Sequence, residues 1–216
     1  MKDDLSLSIN EIFHSIQGEA KNSGKPTVFI RTAGCPFRCS YCDTEYAFNE
    51  GKKIEIRKII SQVKSYNTNY VTVTGGEPLA QKNIVYLLNT LCEDSFNTSL
   101  ETSGLMDISL VPNDVEIVMD VKTPSSGEAE KNLKRNLKLI KNKDLLKFVI
   151  GNKEDYLWSK NILSENNLLK FNNIFFSPVH DNLNPSEIAD WILKDRLNVT
   201  LQLQLHKYIW GNARGK

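Results

Sequence analysis

The chain has 216 residues, of which 40% are hydrophobic and 25% charged, and its formal net charge is +1. We expect residues 1–216 to form one ordinary globular domain. The balanced charge favours neither a nucleic acid nor a membrane surface as partner. The apolar runs are too short to cross a bilayer, and residues 1–6 lack a signal-peptide core, so we expect a cytoplasmic protein.

The hydrophobic pattern predicts strands that alternate with helices. The first predicted strand, 27–31, leads into a loop with three cysteines. Further strands are predicted at 70–74, 98–101, 116–120, 146–150, 173–177 and 199–205, and helices at 56–63, 84–91, 128–141, 153–166 and 184–197. Such alternation builds a parallel sheet with right-handed crossovers. We predict an α/β fold, a partial (βα)6-type barrel with an added C-terminal strand; an open doubly wound sheet is the alternative.

The loop 34–44 holds Cys35, Cys39 and Cys42 in the spacing C-x3-C-x2-C. A [4Fe–4S] cluster normally takes four cysteines, so three would leave one iron open to a small molecule. The alternatives are a zinc site or a reactive thiol. Structural zinc needs four closed ligands, and the only other cysteine, Cys92, follows the apolar face of a predicted helix, which indicates packing.

Polar or glycine-containing segments follow most of the predicted strands, at 75–78, 101–104, 120–127, 151–154, 177–181 and 205–208. In a parallel barrel these segments share the carboxyl-end rim, where active sites form. Loops are commonly polar, but this does not explain a cysteine loop and a double-glycine turn on successive strands. The sequence therefore predicts an active site at the rim.

The cysteine loop and the Gly-Gly-Glu-Pro turn at 75–78 together resemble the radical S-adenosylmethionine (SAM) superfamily. Within it, the segments 11–19, 28–35, 42–44, 101–102 and 204–211 are similar to the 7-carboxy-7-deazaguanine synthase family, which acts in queuosine and other 7-deazapurine biosynthesis. The chain departs from the family pattern at Ala20 and at 120–122.

The resemblance implies a [4Fe–4S] cluster on the three cysteines, SAM on the open iron, and Mg²⁺ with Thr44 as a ligand. It implies a lyase that converts 6-carboxy-5,6,7,8-tetrahydropterin to 7-carboxy-7-deazaguanine with loss of ammonia, through a 5′-deoxyadenosyl radical. The implied SAM contacts are Tyr41, Cys42, Asp43, Gly76, Asp120, Val121, Lys122, Ser177, Pro178, Val179 and His180. The implied substrate contacts are Ile16, Gln17, Gly18, Glu19, Arg31 and Thr74, with the planar fork of Arg31 on the carboxylate.

The same resemblance implies an electron donor such as flavodoxin or ferredoxin, and a homodimer. No side chain is assigned as general acid or base. Asp120 and Lys122 could instead form a local ion pair, and Thr44 could cap a turn. For His206, packing is favoured over a substrate contact.

Two other functions stay open at this point. A glycyl-radical activating enzyme shares the three-cysteine loop but acts on a protein partner. A zinc-stabilised, non-catalytic binding module is the second. The stretch 17–19, Arg31 and the pair Asp43-Thr44 suit a small anionic substrate and favour the lyase over the activating enzyme. Anaerobic reconstitution with iron and sulfide would distinguish it from the zinc module.

Overall fold

One nine-stranded sheet organises the computed structural model, which describes residues 5–216. The strands are β1 (Ser6–Ile16), β2 (Pro26–Thr32), β3 (Lys52–Glu55), β4 (Tyr70–Gly75), β5 (Asn97–Thr102), β6 (Glu116–Val121), β7 (Leu145–Ile150), β8 (Ile174–Pro178) and β9 (Thr200–Leu201). The helices are α1 (Ile56–Ser65), α2 (Ile84–Glu93), α3 (Lys153–Glu165), α4 (Pro185–Asp195) and α5 (Leu205–Trp210). No helix in the described part of the chain has the length and apolar character needed to cross a membrane.

The strand order is β3-β1-β2-β4-β5-β6-β7-β8-β9, and every pair from β2 to β9 is parallel. The order never reverses, so right-handed crossovers carry the helices to one face of the sheet. This excludes the doubly wound alternative, which needs a switch point in strand order. The partial barrel with an added C-terminal strand, β9, is confirmed. Among the described residues no pairing joins β9 to β3, so the barrel is open.

The core lies between the sheet and the amphipathic helices, as their periodicity predicts. Helix α1 buries Ile56, Ile59, Ile60 and Val63, and α2 buries Ile84, Leu87, Leu88 and Leu91. Cys92 packs against this core as a free thiol, which agrees with the predicted packing role.

Strands β1 and β3 are absent from the sequence prediction. Both pair antiparallel at one edge of the sheet, β1 with β2 and β3 with β1. Strand β1 carries Glu11 and His14 among its apolar residues, and the four-residue β3 is largely exposed, so neither shows a buried hydrophobic run. Strand β1 carries polar residues because it lies next to the site described below.

Two predicted elements are wrong. The segment 128–141 forms short 3-10 turns instead of a helix. The buried side-chain amide of Asn136 donates to the backbone carbonyls of Gly104 and Met106, at 2.9 and 2.7 Å, and these contacts compete with helix formation. The predicted strand 199–205 is reduced to β9. Beyond it, the amide of Gln202 pairs with both backbone groups of Ala20, at 2.8 and 3.1 Å, and α5 begins at Leu205.

Candidate active site

The carboxyl ends of the parallel strands surround a cavity of about 460 Å³. All but three of the predicted site residues line it: Ile16, Gln17, Gly18, Glu19, Arg31, Cys35, Cys39, Tyr41, Cys42, Asp43, Thr44, Thr74, Gly76, Asp120, Lys122, Val179 and His180. The exceptions, Val121, Ser177 and Pro178, are buried outside its lining. Side chains alternate along a strand, so the residue after an inward-facing Asp120 belongs to the core.

The three cysteines of the loop are free and half-buried, and they share this cavity. Burial raises the pKa of all three thiols, an effect that the nearby cations Arg38 and Lys122 do not cancel. They are therefore not self-activated thiolates, which argues against the reactive-thiol alternative; a bound metal would displace their protons.

The donor set fits a cluster, because three free thiols from one loop line one cavity. In an iron–sulfur cluster each thiolate binds a separate iron, so the three sulfurs need not converge on one point.

The Gly-Gly-Glu-Pro turn braces the cysteine loop. A Cβ on Gly76 would lie 2.1 Å from the Gly34 carbonyl oxygen, so the close approach of the two backbones requires glycine. The fully buried Glu77 accepts hydrogen bonds from the Thr102 hydroxyl at 2.9 Å and from the Ser103 backbone N–H at 2.8 Å. The turn thus ties the loop after β2 to the end of β5.

Asp120 and Lys122 form the ion pair weighed in the sequence analysis, at 2.9 Å, with both side chains mostly buried. Burial alone would lower the pKa of Lys122, but the carboxylate outweighs it and raises the pKa. The second carboxylate oxygen of Asp120, Oδ1, is buried without a hydrogen-bond partner in the described chain. An orphaned acceptor in this cavity fits a ligand that donates hydrogen bonds, such as the amine or ribose of SAM.

A buried polar network forms a further part of the cavity wall. Glu19 accepts from Lys147 at 2.5 Å and from Gln204 at 2.7 Å. Burial alone would raise the pKa of Glu19. The charge of Lys147, with the hydrogen bonds from Lys147 and Gln204, outweighs burial and lowers this pKa to about 2. Nearby, burial and the Glu19 charge raise the pKa of Glu101, which accepts from the Thr74 hydroxyl at 2.8 Å and the Gln17 amide at 3.3 Å.

Arg31 reaches the cavity from the end of β2. Its Nε donates to the carboxylate of Glu11 at 2.8 Å. The guanidinium carbon lies 5.5 Å from the centre of the Phe13 ring and 5.8 Å from that of Tyr46. No other hydrogen bond within the described residues occupies Arg31, which leaves its two terminal nitrogens for a ligand.

The hydroxyl of Thr44 does not cap the turn that it precedes. It donates to the Asp43 carboxylate at 2.8 Å, and both residues line the cavity. Paired oxygen donors of this kind suit Mg²⁺.

His206, on α5, packs against Gly18 and also lines the cavity. A Cβ on Gly18 would lie 2.1 Å from His206 Nδ1. Burial lowers the pKa of the imidazole and favours its neutral form. The predicted packing role is therefore present, beside the open cavity.

Sequence reasoning gave no role to several cavity residues, chiefly Phe13, Glu101, Lys147 and Gln204. Lys147 had a readable signal, since it interrupts the apolar strand Leu145–Ile150. A lysine inside a buried parallel strand must find a counter-charge. The partners themselves come from distant segments, which a single sequence does not connect.

Comparisons with known proteins agree with this geometry. Residues 29–194 match the family model for the Radical SAM superfamily. The chain is 42% identical to the 7-carboxy-7-deazaguanine synthase of Chlorobaculum tepidum over 219 residues, covering 100% of both. It is 39% identical to that of Clostridium acetobutylicum, covering 98% of this chain and 100% of the relative.

Solved structures show the same fold. QueE from Escherichia coli has a TM-score of 0.77 at 21% identity, covering 95% of this chain and 96% of that one. SuiB from Streptococcus suis has a TM-score of 0.54 at 17% identity, covering 79% of this chain and 47% of SuiB.

Proposed function

The chain belongs to the 7-carboxy-7-deazaguanine synthase family of the radical SAM superfamily, and on that premise we propose that its rim cavity converts 6-carboxy-5,6,7,8-tetrahydropterin to 7-carboxy-7-deazaguanine with loss of ammonia. The observation that carries the proposal is that one cavity is lined by the three cysteines together with Arg31, Glu19 and Glu101. Its volume suits small molecules rather than a protein loop, which favours the lyase over the glycyl-radical activating enzyme.

A radical SAM enzyme uses a [4Fe–4S] cluster and SAM, and the donor set fits both. Cys35, Cys39 and Cys42 would hold the cluster. When bound, the cluster and SAM supply the radical that abstracts hydrogen from the substrate. The SAM-binding residues of this proposal are Tyr41, Cys42, Asp43, Gly76, Asp120, Lys122, Val179 and His180. Val121, Ser177 and Pro178 would support the strand ends from outside the cavity.

The protein's own part in the reaction is to bind, orient and desolvate the pterin. The free nitrogens of Arg31 would bind its carboxylate in two hydrogen bonds. Glu101, whose raised pKa favours the protonated form, would join Gln17 and Thr74 in matching the donors and acceptors of the ring edge. Ile16, Gly18 and Glu19 would contact the same edge of the pterin ring. Mg²⁺ would be held by Thr44, with Asp43 beside it.

We propose an acidic electron carrier, a flavodoxin or ferredoxin, as the reductant. The segment after β6 adjoins the cysteine loop, where the Arg38 backbone N–H donates to Glu128 at 2.8 Å. This neighbourhood exposes several cations to solvent: Arg38, Lys131, Lys134 and Arg135. Complementary charge steers such encounters.

A homodimer and a cytoplasmic location complete the proposal. Leu203, Tyr208 and Ile209 are exposed on the C-terminal segment, Tyr208 at 89%, and would be covered by a second copy. All four cysteines are free, as expected in a reducing compartment. Light scattering tests the dimer, with Tyr208→Glu expected to give monomers; a monomeric wild-type chain would contradict it.

Anaerobic turnover of the pterin, with product detection by mass spectrometry, tests the function. Arg31→Ala should retain iron and SAM but lose about 2–3 kcal/mol of substrate binding, roughly a 30- to 150-fold rise in KM. Arg57→Ala, at an exposed position on α1, is the matched control and should behave as wild type. The absence of 7-carboxy-7-deazaguanine from wild-type reactions that cleave SAM would overturn the proposal.

A further inference from the structure

We infer that Glu11 and Tyr46 are positioning residues that fix Arg31 in the orientation needed to bind the substrate carboxylate; the inference rests on the proposed function of Arg31. Both side chains lie behind Arg31. Arg31 lines the rim cavity, whereas Glu11 and Tyr46 line a separate pocket on the protein surface. Neither side chain lines the rim cavity, so the contact that they make with a ligand there is through Arg31.

The contacts restrict the guanidinium in two ways. Glu11 Oε1 accepts one hydrogen bond from Arg31 Nε, at 2.8 Å, and a second from the Tyr46 hydroxyl, at 3.0 Å. The guanidinium lies within cation–π distance of the Phe13 and Tyr46 rings. Phe13 is itself stacked on Phe29 at 5.0 Å. The carboxylate thus fixes the Nε edge, and the rings limit rotation of the plane.

The backbone reinforces this arrangement. Glu11 and Arg31 are paired across the antiparallel strands β1 and β2. Tyr46 lies in the turn Glu45–Phe48, directly after the cysteine loop. The Glu11 carboxylate therefore connects the substrate-binding arginine to the segment that carries the cysteines, and it keeps the distance between them fixed.

Electrostatics alone would not favour this design. A carboxylate beside an arginine that binds an anion weakens the attraction for that anion. Its presence is accounted for by geometry, because an arginine with its Nε engaged presents the two terminal nitrogens to a carboxylate in one fixed plane. Orientation gained before binding reduces the entropy lost on binding.

The test is direct pterin binding and steady-state kinetics on reconstituted, SAM-loaded enzyme. Glu11→Ala should raise the Kd and KM for the pterin about tenfold, with kcat within about twofold. Glu11→Gln keeps an acceptor for Arg31 and should restore binding to within about threefold of wild type. Tyr46→Phe, which keeps the ring, should weaken binding about threefold.

A double-mutant cycle separates positioning from general destabilisation. If Glu11 acts only through Arg31, Glu11→Ala should add nothing to the loss already caused by Arg31→Ala. Tyr46→Phe should match wild type in iron content, in SAM cleavage without substrate and in thermal midpoint. This variant therefore remains informative if Glu11→Ala folds poorly. Wild-type pterin affinity in Glu11→Ala, or in Tyr46→Phe where Glu11→Ala does not fold, would overturn the inference, as would full additivity with Arg31→Ala. A wild-type enzyme that binds no pterin would instead overturn the proposed function.

Discussion

Lys147 is the one cation within hydrogen-bond distance of Glu19 in the described chain. Its replacement by methionine allows the loss of folding stability to be predicted in kcal/mol. The Nζ of Lys147 lies 2.5 Å from Glu19 and 3.8 Å from Asp120, and the Lys147 and Glu19 side chains are only 13% and 11% exposed. Lys147→Met keeps the length of the side chain but removes the charge. A buried carboxylate is then left without its ion-pair partner.

The cost follows from the pKa of Glu19. Burial raises this pKa, but Lys147 and Gln204 together bring it from 4.5 down to about 2. At ~1.4 kcal/mol per pKa unit this shift corresponds to about 3 kcal/mol of stability at neutral pH. Breaking a buried ion pair by removing one partner typically costs about 3–5 kcal/mol, which agrees. For a chain of this size the midpoint of thermal unfolding should fall by about 6–12 °C.

The sign of the pH dependence follows from the same groups. The lowered pKa of Glu19 stabilises the fold above pH 4.5, and this contribution is lost as the pH falls towards 2. The raised pKa of Lys147 stabilises the fold below 10.5 and is lost above it. The difference between wild type and Lys147→Met should therefore be largest at neutral pH and shrink at both extremes.

Thermal unfolding followed by circular dichroism under anaerobic conditions measures the effect. Lys64→Met is the control, because the side chains of Lys64 and its partner Asp94 are 53% and 28% exposed, and such surface pairs contribute less than about 1 kcal/mol. A loss in Lys147→Met no larger than that of the control, or a loss that does not diminish at acid pH, would refute the reasoning.

Three further outcomes are expected. Cys39→Ala should lose the cluster absorbance and most iron, whereas Cys92→Ala should retain both; equal iron in the two variants would contradict the assignment. Gly18→Ala should lower the thermal midpoint and pterin affinity, because its Cβ would overlap the His206 ring, and unchanged values in the calorimeter would show that the ring moves freely. Lys134→Glu should raise the KM for a bacterial flavodoxin several-fold, increasingly at low salt, and leave dithionite-driven turnover unchanged; an equal loss with both reductants would place the donor elsewhere.

The sequence predicts what is local and periodic. The parallel strands from β2 to β8 show buried runs, so the partial barrel is predicted and confirmed. The family is predicted from the cysteine and glycine motifs and is also confirmed. Strands β1 and β3 are missed because antiparallel strands with polar residues, next to or at the edge of the sheet, lack that signal. The segment 128–141 is mispredicted because buried asparagine contacts override its leucine spacing.

The candidate site divides in the same way. The cysteine spacing and Arg31 are legible in the sequence, whereas the contacts that fix them are not. Glu11 binds Arg31 from the neighbouring strand, and Lys147 binds Glu19 from 128 residues away. Which residues become partners depends on the register of the strands and on the path of the loops. Val121 and Pro178 miss the cavity because strand alternation directs them away from it, whereas Ser177 is in register with the cavity residue Val149 and is buried.

Three contacts join the C-terminal segment to residues 18–20, and they have a consequence for how the protein is made. Gln202 pairs with Ala20, Gln204 with Glu19, and the Leu205 backbone with Gly18. The first two contacts span 182 and 185 positions. Because translation proceeds from the N-terminus, the ribosome must release residue 205 before this wall can close. A nascent chain can thus present its cysteines to the iron–sulfur assembly machinery well before it has a finished pocket for the pterin.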